Sequence, residues 1–207
     1  MAKIDFKPGN MLYPVPVVMV SCARPGEKPN IVTIAWAGTI CSDPAMVSIS
    51  VRKERHSHAI ISETGEFVIN LVSRDLTFAT DYCGVKSGRD IDKFEDMKLT
   101  ALPSVTVDAP GIAESPVNIE CKVKQVVELG SHDMFIAEVT NVRVDESFMD
   151  EKGRFNMDDC DLIAYSHGGY FSLGDKLGTF GYSVAKKKKN TTAKKKNPTK
   201  KSNGGRK

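Results

Sequence analysis

The sequence lacks the spacings that most often mark hydrolytic, metal-dependent and dinucleotide-binding proteins. It contains no Gly-x-Ser-x-Gly elbow, no His-Glu-x-x-His pair, no Walker loop and no Gly-x-Gly-x-x-Gly after a predicted strand. Its five cysteines never form a Cys-x-x-Cys pair, which argues against a zinc ribbon, an iron–sulfur cluster and a disulfide framework. We therefore expect free, mostly buried thiols and no metal site.

Long apolar runs are also missing. No run of about 18 apolar residues occurs, so no membrane-spanning helix is predicted. The opening residues, MAKIDFKPGN, lack the apolar core of a secretory leader, and we expect a cytoplasmic protein. The 207 residues, 41% hydrophobic and 27% charged, are typical of one soluble domain with a full core.

The net charge of +3 conceals a strong asymmetry along the chain. Of the 29 Lys and Arg residues, 11 lie from Lys186 onward with no acid among them, which leaves 18 basic against 26 acidic residues before it, a net of −8. We predict one domain over residues 1–185 and a disordered Lys-rich tail over residues 186–207. The tail's charge would suit nucleic acid, but it has no interleaved aromatic, and a quiet solubilising extension is the favoured interpretation.

Short apolar runs bounded by turn residues predict a mainly β chain. The predicted strands cover residues 17–22, 31–36, 46–52, 67–72, 117–127, 135–144 and 162–165, with a bulge in the long hairpin after residue 123. The predicted helices cover residues 56–62, closing near Gly65, and residues 74–83. Six or seven strands with two or three short helices indicate a single β-barrel.

The stretch from residue 30 to residue 61 joins two chemically different surfaces. Its first strand ends near Trp36, the only Trp of the chain, and the small residue Gly38 follows. We predict that Thr39, Ile40 and Cys41 form an irregular link whose backbone groups stay free to hydrogen-bond the edge of a planar heterocycle. A core role is an equally good interpretation of Trp36.

The other end of this stretch concentrates positive charge where a helix is predicted to begin. Ser57 lies at that start, where its hydroxyl and the free N–H groups of the first turn would suit a phosphate. Arg52 and Arg55 add charge-assisted donors. A solvated surface with an N-capping Ser57 explains the pattern equally well. His56 and His58 have no further metal ligand at suitable spacing, so a metal is the weaker interpretation.

A second basic segment is the polar loop over residues 84–94. It carries four donors that would close over the same anion: Lys86, Ser87, Arg89 and Lys93. The alternative is a charged surface loop paired internally with Asp90 and Asp92. From the residues themselves, the prediction reaches a planar ligand with a phosphate, held at the edge of a β-barrel.

Four ordered segments carry a resemblance to a known family. They are NIVTIAWAGTICSDPAMVSISVRKERHSHAII (30–61), EFVINLV (66–72), GVKSGRDIDKF (84–94) and YFSLGDKLGTFGYS (170–183). Together they resemble the flavin reductase-like family of FMN-binding split barrels, and within it the flavoredoxin group. The segments extend over most of residues 10–184, and the Lys-rich tail falls outside them.

The resemblance implies a six-stranded Greek-key split barrel that forms a homodimer and binds FMN non-covalently near the subunit boundary. It implies that residues 33–41 line the isoalloxazine, that residues 50–58 hold the ribityl phosphate, and that the loop 84–94 adds donors. The implied FMN-binding residues are Asn30, Thr33, Ala35, Trp36, Thr39, Ile40, Cys41, Ser50, Arg52, Arg55, Ser57, His58, Lys86, Ser87, Arg89 and Lys93. Because the flavin carries the redox chemistry, no catalytic acid, base or nucleophile is expected from the protein.

Two functions from different classes follow. The first is an FMN-dependent oxidoreductase that passes electrons between NADH, NADPH or a redox-protein partner and an acceptor. The second is a protein that binds or sequesters FMN without turnover. The sequence leaves the electron donor and acceptor open.

Overall fold

The structure, a computed structural model, describes residues 1–185, and these are mainly β, as the apolar pattern predicts. The strands are β1 (Val15–Pro16), β2 (Val18–Cys22), β3 (Asn30–Ile34), β4 (Ala37–Ser42), β5 (Ala45–Arg52), β6 (Glu66–Leu71), β7 (Ala101–Leu102), β8 (Gly111–Ile112), β9 (Val117–Leu129), β10 (His132–Val144), β11 (Ile163–Ser166) and β12 (Gly169–Ser172). The α-helices are α1 (His56–Thr64), α2 (Thr77–Val85) and α3 (Lys93–Asp96). Short 3-10 helices cover Arg74–Leu76, Glu146–Phe148, Met157–Cys160 and Tyr182–Val184.

Seven strands form one antiparallel sheet in the order β3-β2-β6-β9-β10-β5-β4, one strand more than the six that the resemblance implies. The sheet curls until β3 approaches β5, where the backbone N–H of Ser50 donates to the carbonyl of Trp36 at 2.9 Å. Residues from β2, β3, β5, β6, β9 and β10 share one core, in which Phe67, Phe135 and Ile49 are fully buried. The sheet is therefore a barrel that stays open between β3 and β5, a split barrel.

Strand β2 is buried on both faces, which explains why it is a continuous apolar run rather than an alternating one. Val18 and Val20 point into the barrel core, whereas Val17 and Met19 pack outside it with Ile31 in a second cluster. Residues of α2 and α3 cover that second cluster. Burying one such aliphatic side chain stabilises the fold by about 1.5–3 kcal/mol, so both layers hold β3 rigidly beside the helices.

The predicted helix over residues 56–62 is confirmed as α1, and it ends as expected. Gly65 has a φ of 70°, and its N–H donates to the carbonyl of Ile61 at 2.9 Å, which closes the last turn. The prediction that Ser57 caps the helix is wrong. Arg55 occupies the N-cap position with extended backbone and makes no side-chain capping bond, so Ser57 is the second residue of the helix and lies inside its first turn.

The prediction of an irregular link at Thr39, Ile40 and Cys41 is also wrong. These residues belong to β4, an edge strand paired with β5, and the register shifts once between Thr39 and Cys41. The reason is the tight turn at Asp43 and Pro44, which returns the chain directly and lets β-branched residues pair across it. The polar segment over residues 84–94 begins in the last residues of α2 and ends in a short helix, α3.

The chain divides into two units, of which the first covers Met1–Leu173 and the second begins at Gly174. Within the described part of the second unit, Tyr182–Val184 forms a 3-10 helix. The predictions about the Lys-rich tail fall on residues 186–207, outside the described residues. None of the helices in residues 1–185 has both the length and the apolar character needed to cross a membrane.

Candidate functional site

The opening of the barrel between β3 and β5 forms a first cavity, which we call the split cavity. Its lining is Val32, Thr33, Ile34, Ala35, Trp36, Ser50, Val51, Arg52, Arg55 and His132. One wall is the outer edge of β3, which pairs only with β2. The wall is therefore a strand edge whose outward backbone groups have no ladder partner.

The direction of the β3 backbone determines what this edge offers. The carbonyl of Ile31 accepts a bond from Nζ of Lys93 at 2.6 Å, so the backbone groups of Ile31 face away from β2. Alternate residues of a strand direct their N–H and C=O groups to the same side. Thr33 therefore presents one donor and one acceptor to the split cavity. Such a pair can hydrogen-bond the edge of a planar heterocycle.

A second cavity, the cationic cavity, adjoins the split cavity and shares Val32 and Arg55 with it. Its remaining lining is Asn30, Glu54, His56, Ser57, Lys86, Ser87, Gly88, Arg89 and Lys93, and its volume is about 280 Å³. Together with Arg55, the cavity has four cationic side chains and one carboxylate, that of Glu54. The first turn of α1, which has no side-chain cap, begins here. Cationic side chains beside free helix N–H groups make a strong anion site.

Loop contacts hold the cationic cavity in shape. Nη1 of Arg89 donates to the backbone carbonyl of Glu54 at 3.1 Å, which ties the basic loop to the turn before α1. The backbone of Gly88 approaches Asn30 so closely that a Cβ at that position would lie 2.0 Å from the Asn30 Oδ1. Only glycine allows this approach. Asn30 in turn donates through Nδ2 to the buried hydroxyl of Ser57 at 2.7 Å.

Lys93 is the buried member of the cationic group, with 3% of its surface exposed. Its Nζ donates to the carbonyls of Ile31 at 2.6 Å and of Cys83 at 2.7 Å. Burial lowers the pKa of Lys93 to about 8, because removal from water disfavours the ammonium form. A neutral amine still has two N–H groups for the two carbonyls, so the neutral form keeps both bonds.

Two histidines border the cavities, and the pKa of each is lowered by burial and by nearby positive charge. Burial and then the guanidinium of Arg89 lower the pKa of His56. Burial and then Arg52 lower the pKa of His132. Both imidazoles therefore favour the neutral form near a cationic group.

The structure brings together twelve of the sixteen residues that the resemblance implies. Thr33, Ala35, Trp36, Ser50, Arg52 and Arg55 line the split cavity, and Asn30, Arg55, Ser57, Lys86, Ser87, Arg89 and Lys93 line the cationic cavity. Trp36 lies in the bend after β3 rather than inside a strand. The turn before α1 and the basic loop therefore line one cavity.

Four implied residues line neither cavity: Thr39, Ile40, Cys41 and His58. The first three lie along β4, and Ile40 is 48% exposed there. His58 points elsewhere, since its Nε2 hydrogen-bonds Oδ2 of Asp133 at 2.8 Å and its ring packs edge-on against Phe135.

The alternative of a loop paired with its own acids fails for one of the two acids. Asp92 accepts an ion pair from Lys28 at 2.9 Å and caps α3 by accepting from the N–H of Glu95 at 3.1 Å. Its carboxylate is therefore committed outside the basic loop. The basic side chains of the loop are left facing the cavity.

Sequence reasoning missed several lining residues, including Glu54, Gly88 and His132. His132 lies beside the site because it is paired with Arg52 across β10 and β5. A serine–glycine–arginine sequence in a basic loop is a local hint for Gly88, but the register that brings His132 to Arg52 spans 80 residues of chain and leaves no local signal.

Fold and site together define a split barrel with a strand edge at its opening and an adjoining cationic cavity. The family model described as the flavin reductase-like domain matches residues 10–174. The structure of flavoredoxin from Desulfovibrio vulgaris (Miyazaki F) is similar, with a TM-score of 0.82, 32% identity, and coverage of 89% of this chain and 100% of that one. Flavoredoxin from Methanosarcina acetivorans has a TM-score of 0.80, 25% identity and the same coverage.

A curated relative from Archaeoglobus fulgidus, named an uncharacterized protein, is 32% identical over 145 residues, which are 70% of this chain and 81% of that protein. The chain belongs to the flavin reductase-like domain family. The split-barrel fold is confirmed, and the family supports a flavin cofactor and a flavin-related oxidoreductase activity.

Proposed function

We propose that this protein binds FMN and passes electrons between a donor, either NAD(P)H or a redox-protein partner, and an acceptor. The observation that carries the proposal is the junction of the two cavities, where an open strand edge meets four cationic side chains. A phosphorylated planar heterocycle needs both. Bound FMN would supply reversible transfer of a hydride or of single electrons.

The donor set of the cationic cavity fits a phosphate. Arg55, Lys86 and Arg89 would provide charge-assisted hydrogen bonds, and the uncapped first turn of α1 would add backbone N–H groups. Arg55 forms no ion pair within residues 1–185, so its charge is available to an incoming anion. Lys93 lies deeper and would act mainly through its charge and its hold on β3.

The split cavity fits the ring. Thr33 would hydrogen-bond the ring edge through its backbone, and Trp36 would supply an apolar face. A backbone N–H at a fixed position stabilises negative charge that develops on a reduced heterocycle, because its dipole needs no reorientation. No side-chain acid, base or nucleophile is required for this role.

A homodimer is part of the proposal. Several apolar side chains remain exposed on the long hairpin, namely Val126, Leu129, Val142 and Val144, each at least 38% exposed. Apolar side chains exposed in this number favour a protein contact. Light scattering coupled to gel filtration should give twice the mass of one chain, and a monomer would contradict the dimer without affecting the FMN proposal. Cytoplasmic residence stays a prediction.

The test is a titration of the full-length protein with FMN and with riboflavin, followed by flavin fluorescence. We expect FMN to bind at least about tenfold more tightly, since the phosphate gains charge-assisted hydrogen bonds worth about 1.5–3 kcal/mol each. Equal affinity for the two flavins would overturn the anion site. Failure to bind either flavin would overturn the function.

A second measurement separates turnover from storage. The FMN-loaded protein is mixed anaerobically with NADH, with NADPH and with reduced redox proteins, and the flavin absorbance is followed. Bleaching by a nicotinamide supports a reductase, and bleaching by a redox protein alone supports an electron carrier. A flavin that none of these donors reduces would favour the FMN-sequestering alternative.

A further inference from the structure

A third cavity, which we call the aromatic cavity, lies against the segment after β3 and adjoins the split cavity. Its walls include Tyr13, Trp36, Tyr165, Tyr170 and Asp81, and its volume is about 310 Å³. Cavities of this size hold small organic ligands. The aromatic cavity is therefore a second candidate site, and most of its lining comes from residues that do not line the split cavity.

Four aromatic rings form its walls at angles to one another. The ring centroids of Tyr13 and Trp36 are 6.0 Å apart, and those of Tyr13 and Tyr165 are 6.1 Å apart. Tyr165 and Tyr170 meet edge to face at 5.7 Å. Each of the four residues is partly exposed rather than buried in a core. Tyr165 and Tyr170 also pack against the second core cluster, so the rings offer part of their surface to the cavity.

One charge is present in the lining, and it is negative. Asp81 on α2 is exposed, and its Oδ1 accepts a hydrogen bond from the hydroxyl of Tyr170 at 3.0 Å. No Lys or Arg is part of the lining. Burial and the bond to Asp81 raise the pKa of Tyr170 to about 12, so the phenol remains a neutral donor to the carboxylate. The carboxylate keeps its second oxygen for a ligand.

Aromatic faces beside a carboxylate recognise a particular chemistry. The negative face of each π system attracts cations, most strongly for Trp, and flat rings pack best against flat partners. We propose that the aromatic cavity binds a small planar aromatic cation, such as an N-alkylpyridinium, with its ring among the four aromatic side chains and its charge near Asp81.

Binding of a cation in the aromatic cavity does not require a bound flavin, although the two cavities are neighbours. The aromatic and split cavities share Thr33, Ala35 and Trp36. A ligand in the aromatic cavity therefore contacts the same segment of chain that borders the split cavity. The test of cation binding gives its answer whether or not the protein binds FMN.

The test compares 1-methylnicotinamide, a cation, with nicotinamide, its neutral counterpart. Binding to the full-length protein is measured by isothermal titration calorimetry and by fluorescence of Trp36, the only Trp in the chain. We expect saturable binding of the cation, at least about fivefold tighter than that of the neutral ring. Equal affinities, or no saturable binding of the cation up to about 10 mM, would overturn the proposal.

Two variants test whether the preference for the cation over the neutral ring comes from the Asp81 carboxylate. Asp81→Asn keeps an acceptor for Tyr170 but removes the charge, and it should lower cation affinity to that of the neutral ring. Asp75→Asn makes the same charge change at an exposed residue outside the aromatic cavity and should change nothing. A cation preference that survives Asp81→Asn, or that Asp75→Asn also removes, would refute the assignment.

A further variant tests the role of the rings. Tyr170→Phe keeps the ring and removes the hydroxyl, so cation binding should stay within about twofold of the wild type if the π face is what matters. A loss as large as that of Asp81→Asn would show that the hydroxyl, rather than the ring, binds the ligand. Circular dichroism confirms that each variant is folded.

Discussion

The cationic cavity and the aromatic cavity lie along the same strand, β3, yet they have opposite chemistry. The cationic cavity takes four positive side chains from the turn before α1, from the basic loop and from α3. The aromatic cavity takes four rings and one carboxylate from the N-terminal segment, the bend after β3, α2, β11 and β12. The strand itself supplies small or neutral residues to both. The elements packed against a strand, rather than the strand, set the charge of each cavity.

The two cavities also differ in how deeply their charges are held. Lys93 is buried and bonded to two carbonyls, whereas Asp81 is exposed on a helix. A buried charge changes stability, and an exposed charge changes mainly the ligand preference. This contrast can be tested, beginning with the largest expected effect.

Replacing Lys93 with Met should change how stability depends on pH. The pKa of Lys93 in the fold is about 8, below its ordinary value of 10.5, so between these values the unfolded chain binds more protons than the folded chain. The free energy of unfolding of the wild type should therefore rise relative to Lys93→Met across this window, by up to about 3 kcal/mol. Urea unfolding of both proteins at about pH 7.5 and pH 10 measures the difference.

Lys28→Met serves as the matched control, because the bond to Asp92 raises the pKa of the exposed Lys28 and moves its titration above the window. The free energy of unfolding of Lys28→Met should depend on pH in the same way as that of the wild type. If the free energy of unfolding of Lys93→Met also depends on pH as that of the wild type does, the pKa of Lys93 is not lowered in the fold.

Removing two guanidinium groups should weaken FMN binding without weakening ligand binding in the aromatic cavity. The double variant Arg55→Gln and Arg89→Gln should weaken FMN binding by roughly 30- to 100-fold, since each charge-assisted hydrogen bond contributes about 1.5–3 kcal/mol and the remaining donors compensate in part. Binding of 1-methylnicotinamide should stay within about twofold, because neither Arg lines the aromatic cavity. Flavin fluorescence and calorimetry measure the two affinities.

Arg74→Gln removes an Arg that lines neither the split nor the cationic cavity and controls for net charge. If riboflavin loses as much affinity as FMN in the double variant, the two Arg residues act on the barrel opening rather than on a phosphate.

Salt should produce the smallest effect and act on both cavities. Raising the ionic strength from about 0.05 M to 0.3 M should weaken both FMN and 1-methylnicotinamide by about two- to threefold, because both depend on partly exposed charges. Riboflavin and nicotinamide, which are uncharged, should be insensitive. If the affinity of a charged ligand does not change with ionic strength, its cavity recognises it through packing rather than through charge.

Local patterns predicted the elements well. The helix ending at Gly65 and the strand beginning near Phe67 follow from side-chain period and from one residue's freedom to adopt a positive φ. The bulge in the β9–β10 hairpin was visible as a slip in alternation after Val123. These features depend on residues close in sequence, where steric and hydrogen-bonding preferences act directly.

Contacts between distant residues were not predictable in the same way. The basic segments of the site were recognised because their charges stand together in the sequence, but the burial of Lys93 depends on two carbonyls from β3 and α2. The misplaced cap at Ser57 has the same cause, since its hydroxyl is taken by Asn30 rather than by its own helix. Neighbouring residues in the sequence do not reveal a hydrogen-bond partner that only tertiary packing brings close.

The sequence by itself determined that this chain is mainly β, that a loop and a helix start concentrate basic and polar side chains, and that its segments match a flavin-binding family. Only the tertiary structure decided that the barrel opens between β3 and β5 and that Tyr13, Asp81 and Tyr170 meet beside Trp36. The physical reason is that side-chain period and turn chemistry act over a few residues, whereas a cavity depends on which distant elements the core brings into contact.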